Sequence, residues 1–154
     1  MSGPQAIAFE AAAIGAGNQN GVDPNVLVGM AGQELTFNPA AQSSTSTANG
    51  LFGLTDGVRS QYGLSNGDAT GTSASAITNQ VTTAAHYLGD LKNGPVPKSH
   101  PEHSLEIAIG YYRGSRKGVN GAINSKGGYD AMRKLSYGGE TLGHYINSVE
   151  RYVP

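Results

Sequence analysis

Glu34 is the residue of this chain whose position packing alone does not explain. Leu27, Met30, Ala31 and Glu34 recur at the spacing of one helix face, which puts a carboxylate on the apolar side of a helix near its C-terminal end. Removal from water penalises the charged form, and the partial negative charge of a helix C-terminus adds to that penalty, so both push the pKa upward. A carboxyl that keeps its proton near neutral pH is suited to general-acid chemistry. The alternative is a structural Glu that accepts hydrogen bonds from a neighbouring loop. Metal chemistry has weaker support. His86, His100, His103 and His144 do not form the helical i, i+4 histidine pair with an adjacent Glu that a zinc protease uses, and there is no Cys for a thiolate site or nucleophile. The expectation is therefore chemistry without a metal or cofactor. The Gly-rich run from Gly114 to Gly121 follows no strand, so it does not read as a phosphate cradle.

The elements that must position Glu34 can be read from pattern and punctuation. At 154 residues the chain predicts a single domain over 1–154, with 38% apolar residues arriving in periodic clusters. Ile7, Ala11 and Ile14 predict a first helix of about three turns, ended by Gly15, Gly17, Asn18 and Gly21. Asp23 and Pro24 open the helix that carries Glu34. From Asn38 to Gly57 the chain is polar and Gly-, Ser- and Thr-rich around an apolar knot of Leu51, Phe52 and Leu54, which predicts an irregular loop or short hairpin. Ile77, Val81, Ala84, Leu88 and Leu91 make the clearest amphipathic helix, stopped at Asn93 and Gly94. Pro95, Pro97 and Pro101 mark a connecting loop; Leu105, Ala108, Ile109 and Tyr112 form a helix that ends at Gly114. Shorter helices are expected near Val119 to Ile123 and Tyr129 to Leu135, before a final stripe from Leu142 to Val153. The fold class is mainly α, with at most a small β element.

Several of these pieces resemble the soluble lytic transglycosylase and goose-type lysozyme families of peptidoglycan-cleaving enzymes. They are Gln33-Glu34-Leu35-Thr36-Phe37-Asn38-Pro39, the segment Gly50-Leu51-Phe52-Gly53-Leu54-Thr55, Ala84-Ala85-His86-Tyr87-Leu88, the run Ala108 to Gly114, and Glu140-Thr141 followed by Tyr145-Ile146 and Val149. They occur in the family order from about residue 7 to residue 153. The resemblance implies a lysozyme-like fold with helices around a glycan groove and makes Glu34 the catalytic acid. It places Gly50, Leu51, Phe52 and Gly53 along the groove, with Ser43 positioning substrate. Gly53 stands where the family has Gln, and Arg113 where it has Asn.

Two chemistries follow from that resemblance, both beginning with Glu34 protonating the glycosidic oxygen between MurNAc and GlcNAc. In a lytic transglycosylase the N-acetyl group assists, and Glu34 then takes the proton of the C6 hydroxyl to leave a 1,6-anhydro sugar. In a water-using lysozyme a second carboxylate is needed, and Asp56, just after the groove segment, is the candidate; its alternative is a turn or cap residue. Tyr112 is expected to aim its hydroxyl at the cleavage site, fixing Glu34 or touching the sugar, against the alternative of a core tyrosine. The implied partner is the peptidoglycan glycan strand. A glycan-holding module without catalysis, and an enzyme that cuts peptide cross-links, are the competing functions. A formal charge of -1 gives no basic field for nucleic acid, and no apolar run is long enough for membrane insertion. The chain is expected to be a monomer. The N-terminal stretch from Met1 to Ala13 has no Lys or Arg and reads as a helix start, not a signal peptide. Action on the cell wall then calls for delivery by a phage virion, a lysis system or a secretion apparatus.

Overall fold

The computed structural model describes residues 1–153, so Pro154, the last residue of the expected domain, lies outside it. Helix α1 (Gly3–Asn20) opens with a capping box: the Ser2 hydroxyl accepts from the Gln5 N–H, and the Gln5 side chain accepts from the Ser2 N–H. The helix buries Phe9, Ala12, Ala13 and Ala16, whereas Ile7 and Ile14 face out at 70% and 49% exposure. The predicted helix is present with the opposite face inward. Its small residues let it lie against α5 (Ala74–Lys92): Gln5 reaches the Thr72 carbonyl just before α5 begins, and Lys92 reaches the Gly21 carbonyl at its far end. The two helices therefore run parallel. Gly15 and Gly17 do not end α1, which runs to Asn20; the break comes at Gly21, in the left-handed region with φ 67°.

Helix α2 (Pro24–Leu35) starts as predicted, with the Asp23 carboxylate accepting from the Asn25 N–H at 2.8 Å. It is followed by two non-glycine residues in the left-handed region, Thr36 at φ 58° and Phe37 at φ 56°. That conformation costs on the order of 1 kcal/mol per residue. It is held by the Phe37 ring, which packs edge-on against Phe9 and Tyr152.

The segment after α2 is irregular, with single bridges pairing Gln42 with Asn49 and Asn49 with Leu54. The Gly-, Ser- and Thr-rich stretch beyond it carries two short helices not evident in the pattern, α3 (Asp56–Tyr62) and α4 (Asn66–Ala69). Pro95, Pro97 and Pro101 do not make a plain loop. They build α6 (Pro95–Ser99) and a 3-10 turn (Pro101–His103), since a proline in a first helical turn removes no N–H that the helix needs. Then come α7 (Ser104–Arg113), α8 (Arg116–Ile123), α9 (Gly128–Arg133), a hairpin of β1 (Ser136–Tyr137) and β2 (Glu140–Thr141), and α10 (Leu142–Glu150). The strands are antiparallel, Ser136 opposite Thr141 and Tyr137 opposite Glu140. The fold is mainly α with this one small sheet among the described residues, in keeping with the lysozyme-like class. No described helix is long and apolar enough to cross a membrane.

Leu27 and Met30 of α2, Ile77 and Leu88 of α5, Ile107 of α7 and Ile146 of α10 are fully buried in a shared core. The α2–α10 contact depends on Gly29. A Cβ there would stand 2.4 Å from the Val149 carbonyl oxygen, so only glycine lets the two backbones meet at this distance.

Candidate active site

Helix α2 carries Glu34 one residue before its end, and α10 brings Tyr145 to it across the Gly29 contact. The tyrosine hydroxyl donates to Glu34 Oε1 at 2.5 Å. The other carboxyl oxygen faces the irregular segment, where a Cβ built on Gly53 would lie 3.2 Å from Oε2. Burial raises the Glu34 pKa above its ordinary 4.5; the Tyr145 hydrogen bond and the Arg113 cation oppose the rise, and the Glu140 carboxylate adds to it. Arg113, at the end of α7, donates to the Tyr137 carbonyl at 3.1 Å, stands 3.9 Å from Glu140 Oε1 and lies over the Tyr145 ring, 5.3 Å from its centroid. His144 Nδ1 meets the other Glu140 oxygen at 2.5 Å.

Tyr112 does not hold Glu34. Its hydroxyl donates to the Phe52 carbonyl at 2.6 Å, and the hydroxyl that reaches Glu34 belongs to Tyr145. Burial first, and the Glu34 charge second, push the Tyr112 pKa well above the ordinary tyrosine value, so the hydroxyl keeps its proton and holds the Gly50–Leu54 segment. Leu51 and Phe52, expected along a groove, instead put their side chains in the core, and the Phe52 ring stacks on Phe9 with centroids 6.3 Å apart. Burying a large apolar side chain stabilises by about 2 kcal/mol, so these two point inward and leave only backbone to a ligand. Gly50 is buried, its N–H on the Ala41 carbonyl at 2.8 Å, whereas Gly53 is half-buried beside Glu34.

Asp56 is exposed and closes a turn: its carboxylate accepts from the Thr47 hydroxyl at 3.2 Å, and its N–H donates to that same hydroxyl at 3.1 Å. Ser43 Oγ accepts from the N–H groups of Thr45 and Ser46. The four histidines lie in separate places, with carboxylates beside His86 (Asp90), His103 (Glu106) and His144 (Glu140), while His100 meets the Val96 carbonyl.

Three residues with structural work around the site escape a reading by stripes. Tyr145 sits in an apolar stripe, and its hydroxyl was the one signal that it needed a partner. Gln80 follows the logic of Glu34: it falls on the buried Ile77 and Val81 face of α5. Its Oε1 accepts from the Leu51 N–H at 2.9 Å, and its Nε2 donates to the carbonyls of Pro39, Asp68 and Gly71. Arg59, also buried, donates to the carbonyls of Thr47 and Leu54. Together they fix the irregular segment that faces Glu34.

Beside that segment lies a pocket of about 70 Å³ lined by Gly53, Leu54, Thr55, Val58, Tyr87 and Tyr112. Tyr87 also lines a larger, mainly polar cavity of about 430 Å³ with Tyr62, Asp90, Tyr111, Ser115 and Arg116. The rings of Tyr62, Tyr87 and Tyr112 follow one another at 5.7 and 5.4 Å. A row of aromatic faces with polar groups at its edge suits a ligand that is both ring-shaped and hydroxylated. Another cavity of about 640 Å³, lined by Asp130, Arg133, Lys134, His144 and Asn147, lies between α9 and α10.

No curated protein matches the sequence of this chain. A family model described as the transglycosylase SLT domain matches residues 11–127, a stretch that contains Glu34, the Gly50–Leu54 segment, Tyr87 and Tyr112 and stops short of Glu140 and Tyr145. With most of its length matched and a mainly helical fold around Glu34, the chain belongs to the transglycosylase SLT domain family, whose activity is of the peptidoglycan-cleaving, lytic-transglycosylase type.

Proposed function

We propose that the protein is a lytic transglycosylase that cuts the β-1,4 bond between MurNAc and GlcNAc with Glu34 as the only carboxyl in the reaction. The observation that carries this reading is the setting of Glu34: a half-buried carboxyl with a raised pKa, held by Tyr145, facing Gly53 at the edge of the aromatic cleft. The other carboxylates considered are engaged, Glu140 by His144 and Arg113 and Asp56 by Thr47. A mechanism that needs one carboxyl fits this arrangement better than one that needs two.

In that mechanism protonated Glu34 gives its proton to the glycosidic oxygen as the bond from C1 of MurNAc to that oxygen breaks, and GlcNAc leaves with a free hydroxyl. The N-acetyl oxygen of MurNAc closes on C1 and carries the positive charge. Glu34, now a carboxylate, takes the proton of the C6 hydroxyl while that oxygen displaces the N-acetyl oxygen at C1. The product is a 1,6-anhydro sugar, and the acid is restored with no water consumed. Tyr145 keeps Oε1 fixed through both proton transfers, and Tyr112 acts as a positioning residue by holding the Phe52 carbonyl. Ser43 and Gly53 border the path of the glycan; Gly50 is buried behind it, and Leu51 and Phe52 contribute backbone only.

The test is mass spectrometry of soluble products from purified sacculi treated with wild type and with Glu34→Gln. Anhydro-muropeptides from wild type alone support the reading. Reducing-end sugars would replace it with water-using lysozyme chemistry and bring Asp56 back as a second carboxylate. New peptide termini with intact glycan, or binding without products, would replace it with the cross-link-cutting or the glycan-holding function.

A further inference from the structure

Arg113 ends α7 beside the Glu34–Tyr145 pair. It is fixed from three sides: by the Tyr137 carbonyl at 3.1 Å, by Glu140 Oε1 at 3.9 Å and by the Tyr145 ring beneath it at 5.3 Å. Its Nε is buried without a hydrogen-bond partner among the described residues. A buried, orphaned donor is costly, so the side chain is held by the charges and the ring around it and not by full hydrogen bonding. Glu140 is fixed in turn, its second oxygen on His144 Nδ1 at 2.5 Å. Tyr145 is thus clasped between Arg113 above its ring and Glu34 at its hydroxyl.

We propose that Arg113 and Glu140 are positioning residues of opposite charge for Glu34: the guanidinium, anchored by Glu140, clasps the ring of the Tyr145 whose hydroxyl holds the carboxyl. The proposal rests on the reading of Glu34 as the acid and then the base. A group that must lose a proton and regain it in one turnover works best when neither form is strongly preferred. Burial alone would favour the protonated form, and a cation alone would favour the carboxylate. The groups acting on Glu34 are Tyr145 from α10, Arg113 from α7 and Glu140 from β2, and the Glu34 charge acts in turn on the Tyr112 hydroxyl of α7. Asp56 is turned to Thr47 and exposed.

Removal of either partner moves the pH profile in a known direction. Activity that needs protonated Glu34 declines as pH rises through its pKa. Arg113→Gln removes a charge that favours ionisation, so this declining limb moves to higher pH. Glu140→Gln removes a charge that opposes ionisation, so the limb moves to lower pH. The double variant returns toward wild type, and Arg113→Lys, which keeps the charge, moves the limb least.

The experiment is a pH series of sacculus lysis for these four variants, beside a 13C NMR titration of the Glu34 carboxyl in each free protein, assigned with Glu34→Gln. Opposite displacements of limb and titration for the two single variants support the proposal. A uniform loss of activity at all pH values with an unmoved limb, displacement of both in one direction, or an unmoved titration in the folded variants would overturn it. Opposite NMR displacements together with lysis that survives Glu34→Gln would support the charge pair and overturn the acid assignment on which its catalytic meaning rests.

Discussion

Two carboxyls in this molecule share almost the same surroundings on paper. Glu34 lies in the last turn of α2, Glu150 ends α10, and both have pKa values raised first by burial, with one further Glu adding to the rise and one Arg opposing it: Glu140 and Arg113 for the first, Glu106 and Arg133 for the second. The difference lies in what each faces. Glu34 accepts a hydrogen bond from Tyr145 and looks across Gly53 toward the cleft of Tyr87 and Tyr112. Glu150 instead feels the charges of Glu106, Arg133 and His103, a group in which the Tyr129 hydroxyl is given to Glu106 and the His103 ring is stacked on Tyr129 with centroids 3.8 Å apart. A perturbed carboxyl is thus a poor marker of a site by itself; a perturbed carboxyl with one oxygen held and the other beside an aromatic-lined cleft is a better one.

The largest effect that would test this contrast is on activity. Glu34→Gln is expected to reduce lysis of sacculi by at least roughly 10³-fold, and Glu150→Gln to leave it within about twofold, measured as initial rates of turbidity loss. Comparable losses for both would erase the distinction. Next in size is Gly29→Ala, which sets a methyl group against the Val149 carbonyl and forces α2 and α10 apart. A destabilisation of about 2–3 kcal/mol in urea unfolding is expected, with a fall in activity as Tyr145 leaves Glu34. An unchanged unfolding midpoint would show that the helices have room to shift.

Tyr145→Phe is expected to cost roughly tenfold in rate. Because the lost hydrogen bond favoured the ionised carboxylate, the declining limb of the pH profile should also move to higher pH. A limb moving to lower pH would contradict the arrangement at Oε1.

The smallest effect is shared by both carboxyls. A carboxyl whose folded pKa lies above 4.5 carries its proton in the folded protein over a pH range in which the unfolded chain has already lost it. Below that range both states are protonated and the group contributes nothing. As pH rises across that range up to the folded value, the unfolded chain ionises while the folded state still holds the proton, so stability is lost and stays lost at higher pH. Glu34→Gln and Glu150→Gln should each raise the Tm at pH 7 and leave it near wild type at pH 4, which calorimetry at the two pH values would show. A lower Tm at pH 7 would mean that the charged forms are better compensated than their burial implies.

Legibility in the sequence varied with the range of the interaction. The start of α2 at Asp23 and Pro24, the stripe of α5 and the end of α7 at Gly114 are local signals, and each element lies where its residues put it. The phase of α1 misleads, because large Ile side chains suggest the buried face while the close approach of α5 favours Ala and Gly. The helices α3, α4 and α6 are too short to show a period and depend on their neighbours for stability. In the site, Glu34 is legible because a carboxylate on an apolar face conflicts with its surroundings. Gln80 carries the same conflict, and its four bonds in the structure resolve it. The hydroxyl on Glu34 is that of Tyr145, for which the pattern gave no role, and not that of Tyr112, because a hydroxyl on an apolar face signals only that it needs a partner.

The sequence by itself determined the mainly helical class, the start of α2 and the ends of α5 and α7, and the position of one carboxyl on an inward face, since all three depend on residues within a few turns of each other. Tertiary structure alone decided which tyrosine holds Glu34, where Leu51 and Phe52 point, and that Arg113 and Glu140 meet over Tyr145. Those outcomes join residues up to 111 positions apart, and they are settled by how closely two helices can pack and which groups must leave water together.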